Sequence, residues 1–284
     1  MKNKIAITTE SAADLEEDLL KSENVTVLPV GIVIGDEEYL DGESIKTNEL
    51  YEKSELYGVP PKVEGISPYE YGKLFSSLTD KGFEVIHIAL SSKISSCFQN
   101  AAFAARSFEN VCVIDSLNLS GGMAAMVSEA ADLAQKEVPA QDIAAEVEKK
   151  KCLLNTSFII DDIEFIYQGG HCSSVQKKAA ELFSVKPSLN VKGGEFATGK
   201  LFLGKDEEAR KKYILWRLKT ENPNFDRPCR LNYSALDTEE VQKLEELIKK
   251  NGSFNEVIVN EAGCCLSSYC GKGCVGITFE SFGR

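Results

Sequence analysis

The feature that most constrains this chain is a repeated change of hydrophobic period along its first half. Short apolar runs stand at 5–8 ("IAIT"), 25–34 ("VTVLPVGIVI"), 85–90 ("VIHIAL") and 111–115 ("VCVID"). Segments of helical character separate them. Runs of that length, rich in Val and Ile, suit buried strands, and each helix returns the chain across the sheet. The order predicts parallel pairing in a doubly wound sheet. Helices are expected over 47–54, 69–81, 95–108, 120–137 and 140–151. An earlier one is expected in "TTESAADLEEDLLK", with Ser11 as N-cap and Asp14 near its first turn. The stretch 57–67, which carries Pro60-Pro61, reads as an irregular loop.

After about residue 152 the pattern changes. "SFIID" reads as a strand, and "DIEFIYQGGH" as a helix ended by glycines. A helical piece at 179–185 follows, then a strand at 187–192, the turn "KGGEF" and a charged helix at 206–219. "CRLNYSAL", "FNEVIVNEA" and "GCVGITFE" read as strands, with a helix at 238–251. The expected architecture is two α/β domains, 1–152 with a mostly parallel doubly wound sheet and 153–284 with a mixed one.

In such sheets ligands sit beyond the carboxyl ends of the strands. Thr9-Glu10-Ser11, Ser91-Ser92 and Asp115-Ser116 fall at that edge. The stretch "ALSSKISSCFQNAA", 89–102, places four serines there, at a helix start. They suit a nucleophile, an anion cradle or plain capping. A serine nucleophile is poorly supported. No GxSxG surrounds these serines, and His87 lies within the preceding strand, pointing along the sheet. His171 is left to approach from the second domain. No GxGxxG or GxxxxGK[ST] indicates a nucleotide, and the glycine pairs "GGM" and "GGH" read as common C-caps. The first amides of a helix lack intrahelical partners and favour an anion. Ser95 therefore serves as N-cap, as donor to a carboxylate, or as both.

Bulk properties narrow the class. The net charge of −12 argues against nucleic-acid binding. No apolar segment is long enough for a signal peptide or membrane span, which gives a cytoplasmic expectation without stable membrane insertion. Nine cysteines, an odd count, point to reduced thiols. Four of them, Cys264, Cys265, Cys270 and Cys274, cluster without zinc-ribbon spacing and read as small buried packing groups, so no metal is expected.

Six stretches, in order, resemble the DegV family of bacterial fatty-acid-binding proteins. "TTESAADL" is similar to TDS-x-x-DL, and "VTVLPVGIVIGDEEYLDGESI" to the second strand and Y-x-D-G. "ALSSKISSCFQNA" is similar to SS-x-L-S-G-T-Y-Q-S-A, and "VIDSLNLSGG" to VIDS followed by Ser and Gly. "IEFIYQGGHCSSV" is similar to L-x-x-L-x-K-G-G-R, and "YCGKGCVGITF" to H-x-G-x-G-x-x-G-x-x-F.

The resemblance implies the two-domain EDD fold, with a lipid tunnel between the domains. It implies a long-chain fatty acid as ligand, no cofactor, and a non-catalytic carrier role. A separate fatty-acid kinase, dihydroxyacetone-kinase-like, would phosphorylate the bound acid. The family's loop serine matches Ser95, followed here by Ser96 and Cys97. Its carboxylate-binding threonine falls on Val63, its glycine-loop arginine on His171 and its C-terminal histidine on Tyr269. The head-group site would then be rebuilt from Ser95, the Ser96 amide, Tyr269 and Ser67. A serine-dependent acyl-ester hydrolase, or a binder of another amphipathic small molecule, is the alternative.

Overall fold

A computed structural model describes residues 4–161 and 185–282. The expected helix at 162–171, His171 with it, and the expected helical piece at 179–185 as far as residue 184 lie outside the described residues, and Val185 opens a strand instead.

The strands of the first half are β1 (Lys4–Glu10), β2 (Val25–Leu28), β3 (Gly31–Ile34), β4 (Glu37–Leu40), β5 (Lys62–Glu64), β6 (Phe83–Ala89) and β7 (Val111–Asp115). β2-β1-β6-β7 form a parallel sheet in that order. After α1 (Glu17–Leu20) and α2 (Thr47–Tyr57), the helices around it include α3 (Pro68–Thr79), α4 (Cys97–Ala105), α5 (Gly121–Gln135) and α6 (Ala140–Lys151). Their apolar faces close a core of Ile7, Phe75, Ile86, Ile88, Met123 and Val127, all fully buried. This is the doubly wound parallel arrangement expected from the alternating periods.

Four local readings need correction. The run 25–34 is two strands, because Pro29 has no N–H to continue a ladder. The Val30 N–H goes to the Ser11 hydroxyl instead, at 3.0 Å. β3 then leaves the parallel sheet and forms a separate antiparallel one, ordered β4-β3-β5. β5 lies inside the stretch read as a loop. Ser11 caps nothing: it opens a 3₁₀ turn, Ser11–Ala13, and donates to Asp41 at 2.9 Å. Only Glu17–Leu20 is α-helical beyond it. Gly121-Gly122 begins α5 rather than ending a helix. A β-carbon on Gly122 would strike Asn118 and come within 2.8 Å of the Thr156 hydroxyl, so this pair permits close helix–sheet approach.

The second half supplies β8 (Leu154–Ile159), β9 (Val185–Lys192), β10 (Glu195–Leu203), β11 (Cys229–Tyr233), β12 (Val257–Glu261) and β13 (Val275–Glu280). They form a mixed sheet ordered β10-β9-β8-β13-β11-β12, parallel only between β11 and β12. The helices Asp206–Thr220 and Thr238–Asn251 cover it through Tyr213, Ile214 and Leu244. A last short helix, Cys264–Cys270, packs against β5 and carries Tyr269. No helix among the described residues is long and apolar enough to cross a membrane.

Candidate functional site

β6 delivers the serine stretch to the carboxyl edge of the parallel sheet, and the serines there are engaged in different ways. Ser91 is fully buried and donates to the Gly194 carbonyl at 2.7 Å, tying the loop to the β9–β10 turn. The Ser92 N–H donates to Asp115 at 3.1 Å. The Ser95 hydroxyl accepts the Cys97 N–H at 3.2 Å and donates to the Cys97 sulfur, also at 3.2 Å. The N-cap of α4 is Ser96 rather than Ser95, whose hydroxyl still satisfies one of the free amides that begin the helix. Ser96 is exposed, and its hydroxyl faces Gly65: a β-carbon there would lie 2.7 Å from Ser96 Oγ and 3.6 Å from Ser95 Oγ.

Gly65 directly follows β5, so β5 runs into the serine loop. Val63, in β5 opposite Ile32, is half-buried and packs against both the main core and the smaller cluster of Ile32, Ile34 and Leu50. Tyr269 is half-buried beside Cys97 and Cys265. Burial first, then the neighbouring thiols, pushes its phenol well above the ordinary tyrosine range. It remains a neutral donor. Ser95, Ser96 and Tyr269 therefore gather around Cys97, and Val63 stands two residues before Gly65 on β5. Ser67 is occupied elsewhere, capping α3: its hydroxyl accepts from the Glu70 N–H at 3.4 Å and donates to the Glu70 carboxylate at 2.7 Å.

Behind this group lies a polar cluster that the sequence pattern did not single out. Glu10, at the end of β1, is 0% exposed. Its carboxylate accepts the Tyr71 hydroxyl at 2.6 Å, the Leu90 N–H at 2.9 Å and His87 Nε2 at 3.0 Å. Thr8 Oγ1 meets His87 Nδ1 at 2.9 Å. Both ring nitrogens of His87 are thus engaged on the sheet, away from the loop serines. The Cys97 thiol lies in the same buried core as Tyr71. Burial, then the Glu10 charge, pushes that thiol up, so Cys97 stays protonated.

The helix of Tyr269 is held from the first half of the chain. Asp41 accepts the Cys264 N–H at 2.7 Å and the Cys265 N–H at 3.2 Å. Asp14 accepts the Gly263 N–H at 2.8 Å. Its other oxygen is buried without a partner, and the Ser120 hydroxyl approaches without hydrogen-bond geometry. Burial pushes the Asp14 carboxyl up to about 7, aided by the Asp41 charge and opposed by Ser120 and the Gly263 amide. The cysteines of this helix are buried, and among the described residues no group of His, Cys, Asp and Glu could hold a metal ion.

A family profile described as an uncharacterised protein, DegV family, matches residues 4–281. The chain belongs to the DegV family. A DegV domain-containing protein of Caldanaerobacter subterraneus is 29% identical over 98% of this chain and 99% of its own length. A structure described as fatty acid binding of a DegV family protein from Thermus thermophilus superposes with a TM-score of 0.86. It is 26% identical, over 98% of this chain and 100% of that one. The fatty acid kinase B3 protein of Streptococcus pneumoniae, loaded with linoleic acid, shares the fold at TM-score 0.85 and 15% identity, over 98% and 99% of the two chains. Other DegV structures of this fold are described with vaccenic and heptadecanoic acid. Fatty acid is thus the ligand described for solved DegV relatives, and α/β architecture with one parallel and one mixed sheet is common to them.

Proposed function

We propose that this DegV protein is a non-catalytic carrier of long-chain fatty acids, with domains 1–152 and 153–284 and the acyl chain buried between them. The full-length likeness to the fatty-acid-binding Thermus protein carries the reading. Each buried CH₂ contributes about 0.8 kcal/mol, so the chain supplies affinity and the head group orientation. Ser95, the Ser96 amide at the start of α4 and the Tyr269 phenol form the carboxylate contacts. Val63 contributes shape and no hydrogen bond. Ser67, whose hydroxyl caps α3, takes no part in the carboxylate contacts. The carrier acts in the cytoplasm and presents its carboxylate to a separate fatty-acid kinase.

Native mass spectrometry of the purified protein tests this. A long-chain acid should remain bound and leave on denaturation. An empty protein that hydrolyses acyl esters, and loses that activity in Ser95→Ala, would establish the hydrolase alternative instead. In the carrier, Ser95→Ala should weaken acid binding by about 1–3 kcal/mol, the range for a lost hydrogen bond to a charged group. Titration calorimetry with oleate reads this loss. Unchanged affinity would leave Ser95 as the partner of the Cys97 N–H alone.

A further inference from the structure

The loop that carries Ser95 belongs to the first half of the chain and is gripped from the second. Ser91 is where the two meet. Its carbonyl accepts the Ile94 N–H at 3.0 Å and the Ser95 N–H at 3.1 Å, and its own N–H goes to the Asn118 carbonyl at 3.1 Å. Its hydroxyl accepts the Lys93 N–H at 3.3 Å and donates to the Gly194 carbonyl at 2.7 Å. One fully buried residue thus joins the backbone of Ser95 to the β9–β10 turn. The turn is shaped for this contact. Gly193 and Gly194 have φ of +58° and +90°, a region that side-chain-bearing residues disfavour. A β-carbon on Gly194 would lie 2.6 Å from Ser91 Oγ, 2.9 Å from the Leu117 side chain and 3.2 Å from that of Lys93. Lys192, Gly193 and Glu195 are exposed, and of these four turn residues only Gly194 is buried.

We propose that Ser91, held by the Gly194 turn, is a positioning residue that places Ser95 for a carboxylate head group, so that head-group binding and docking of the turn are linked. The inference rests on the carrier reading, in which Ser95 touches the ligand and the buried Ser91 does not. A buried hydroxyl or carbonyl that loses its partner is costly, so Ser91 and Gly194 hold each other in place. A carboxylate gains most from a donor at a fixed point, because charge-assisted hydrogen bonds are short and directional. Linkage works in both directions. An acid that binds better when the turn is docked must favour docking by the same factor. A neutral head group on the same chain, which depends less on where Ser95 stands, has little such effect.

The test measures the affinity for oleic acid and for oleyl alcohol, and the amide hydrogen exchange of residues 190–197 with each ligand and without. In the wild type the acid should slow exchange at the turn and the alcohol should leave it nearly unchanged. Ser91→Ala removes the hydroxyl and keeps the carbonyl that holds the Ser95 N–H. It should bind the acid about fivefold more weakly, as expected for one lost hydrogen bond, with the alcohol near wild type. In this variant the acid should no longer slow exchange at the turn. Gly194→Ala breaks the same contact from the other half of the chain and should give the same pattern. If Gly194→Ala does not fold, Ser91→Ala alone decides. An unchanged acid affinity in Ser91→Ala, equal losses for acid and alcohol, or wild-type exchange that the acid leaves unaltered would overturn the positioning role and leave the carrier reading standing. A wild type that binds neither ligand overturns both.

Discussion

At pH 8 the Asp14→Asn variant is expected to be more stable than the parent chain by up to about 4 kcal/mol, and at pH 4 equally stable. The Asp14 carboxyl lies at about 7 in the fold, against 3.8 for an ordinary aspartate. Below 3.8 both folded and unfolded chains hold this proton, and its contribution to stability is complete. Between the two values only the folded chain holds it, so stability falls as pH rises, by ~1.4 kcal/mol per pH unit. Above about 7 the folded chain carries a buried charge and the loss is complete. Asparagine keeps an oxygen for the Gly263 N–H and removes the charge. Urea denaturation of both proteins from pH 4 to 9 reads the difference. It should open between pH 4 and 7 and then level off. Two parallel curves would show that Asp14 titrates as an ordinary surface acid.

Gly276→Ala is expected to cost about 3 kcal/mol, the upper part of the range for forcing a group into a packed core. Gly276 lies in β13 opposite Phe158 of β8. A β-carbon there would stand 2.5 Å from two ring carbons of Phe158, which is 1% exposed. The ring fills the space a side chain would take and has no free volume to enter. The urea midpoint should fall with its slope unchanged, because the same surface is exposed on unfolding. A loss below about 1 kcal/mol would mean that the central strands slide apart easily and that the glycine is incidental to packing. This gives a physical reason for the third glycine of "YCGKGCVGITF".

The parallel sheet was legible because its strands and helices differ in hydrophobic period, a property of neighbouring residues. The same was true of β11, β12 and β13. The break at Pro29 was legible in principle, since proline cannot extend a ladder, yet the apolar run on both sides masked it. β5 was missed because a three-residue strand in "PPKVEGIS" has no period to detect. The candidate site divides similarly. Ser95 and Ser96 stood out because hydroxyls collect at a strand end. Glu10 fell at the same edge, but its meaning depends on Tyr71, 61 residues away, and His87, 77 residues away. No local pattern reports such pairings. Ser11 and Ser67 show the limit from the other side. The sequence reads Ser11 as a helix cap and Ser67 as a head-group contact, yet it is Ser67 that caps a helix. Ser11 is claimed by Asp41 and by the amide that follows Pro29.

The two aspartates that hold the Tyr269 helix also set the order in which this protein can become competent during synthesis. Asp14 reaches Gly263 across 249 residues, and Asp41 reaches Cys264 across 223. Contacts of such separation form late, because a long segment must be gathered before they stabilise anything. A chain still on the ribosome has its serine loop long before it has Tyr269. On the proposed reading, the carboxylate contacts are therefore completed only once Tyr269 has emerged and its helix has docked. On that same reading, a shorter nascent chain would lack the Tyr269 contact, and selection of an acid would begin only once the Tyr269 helix is in place.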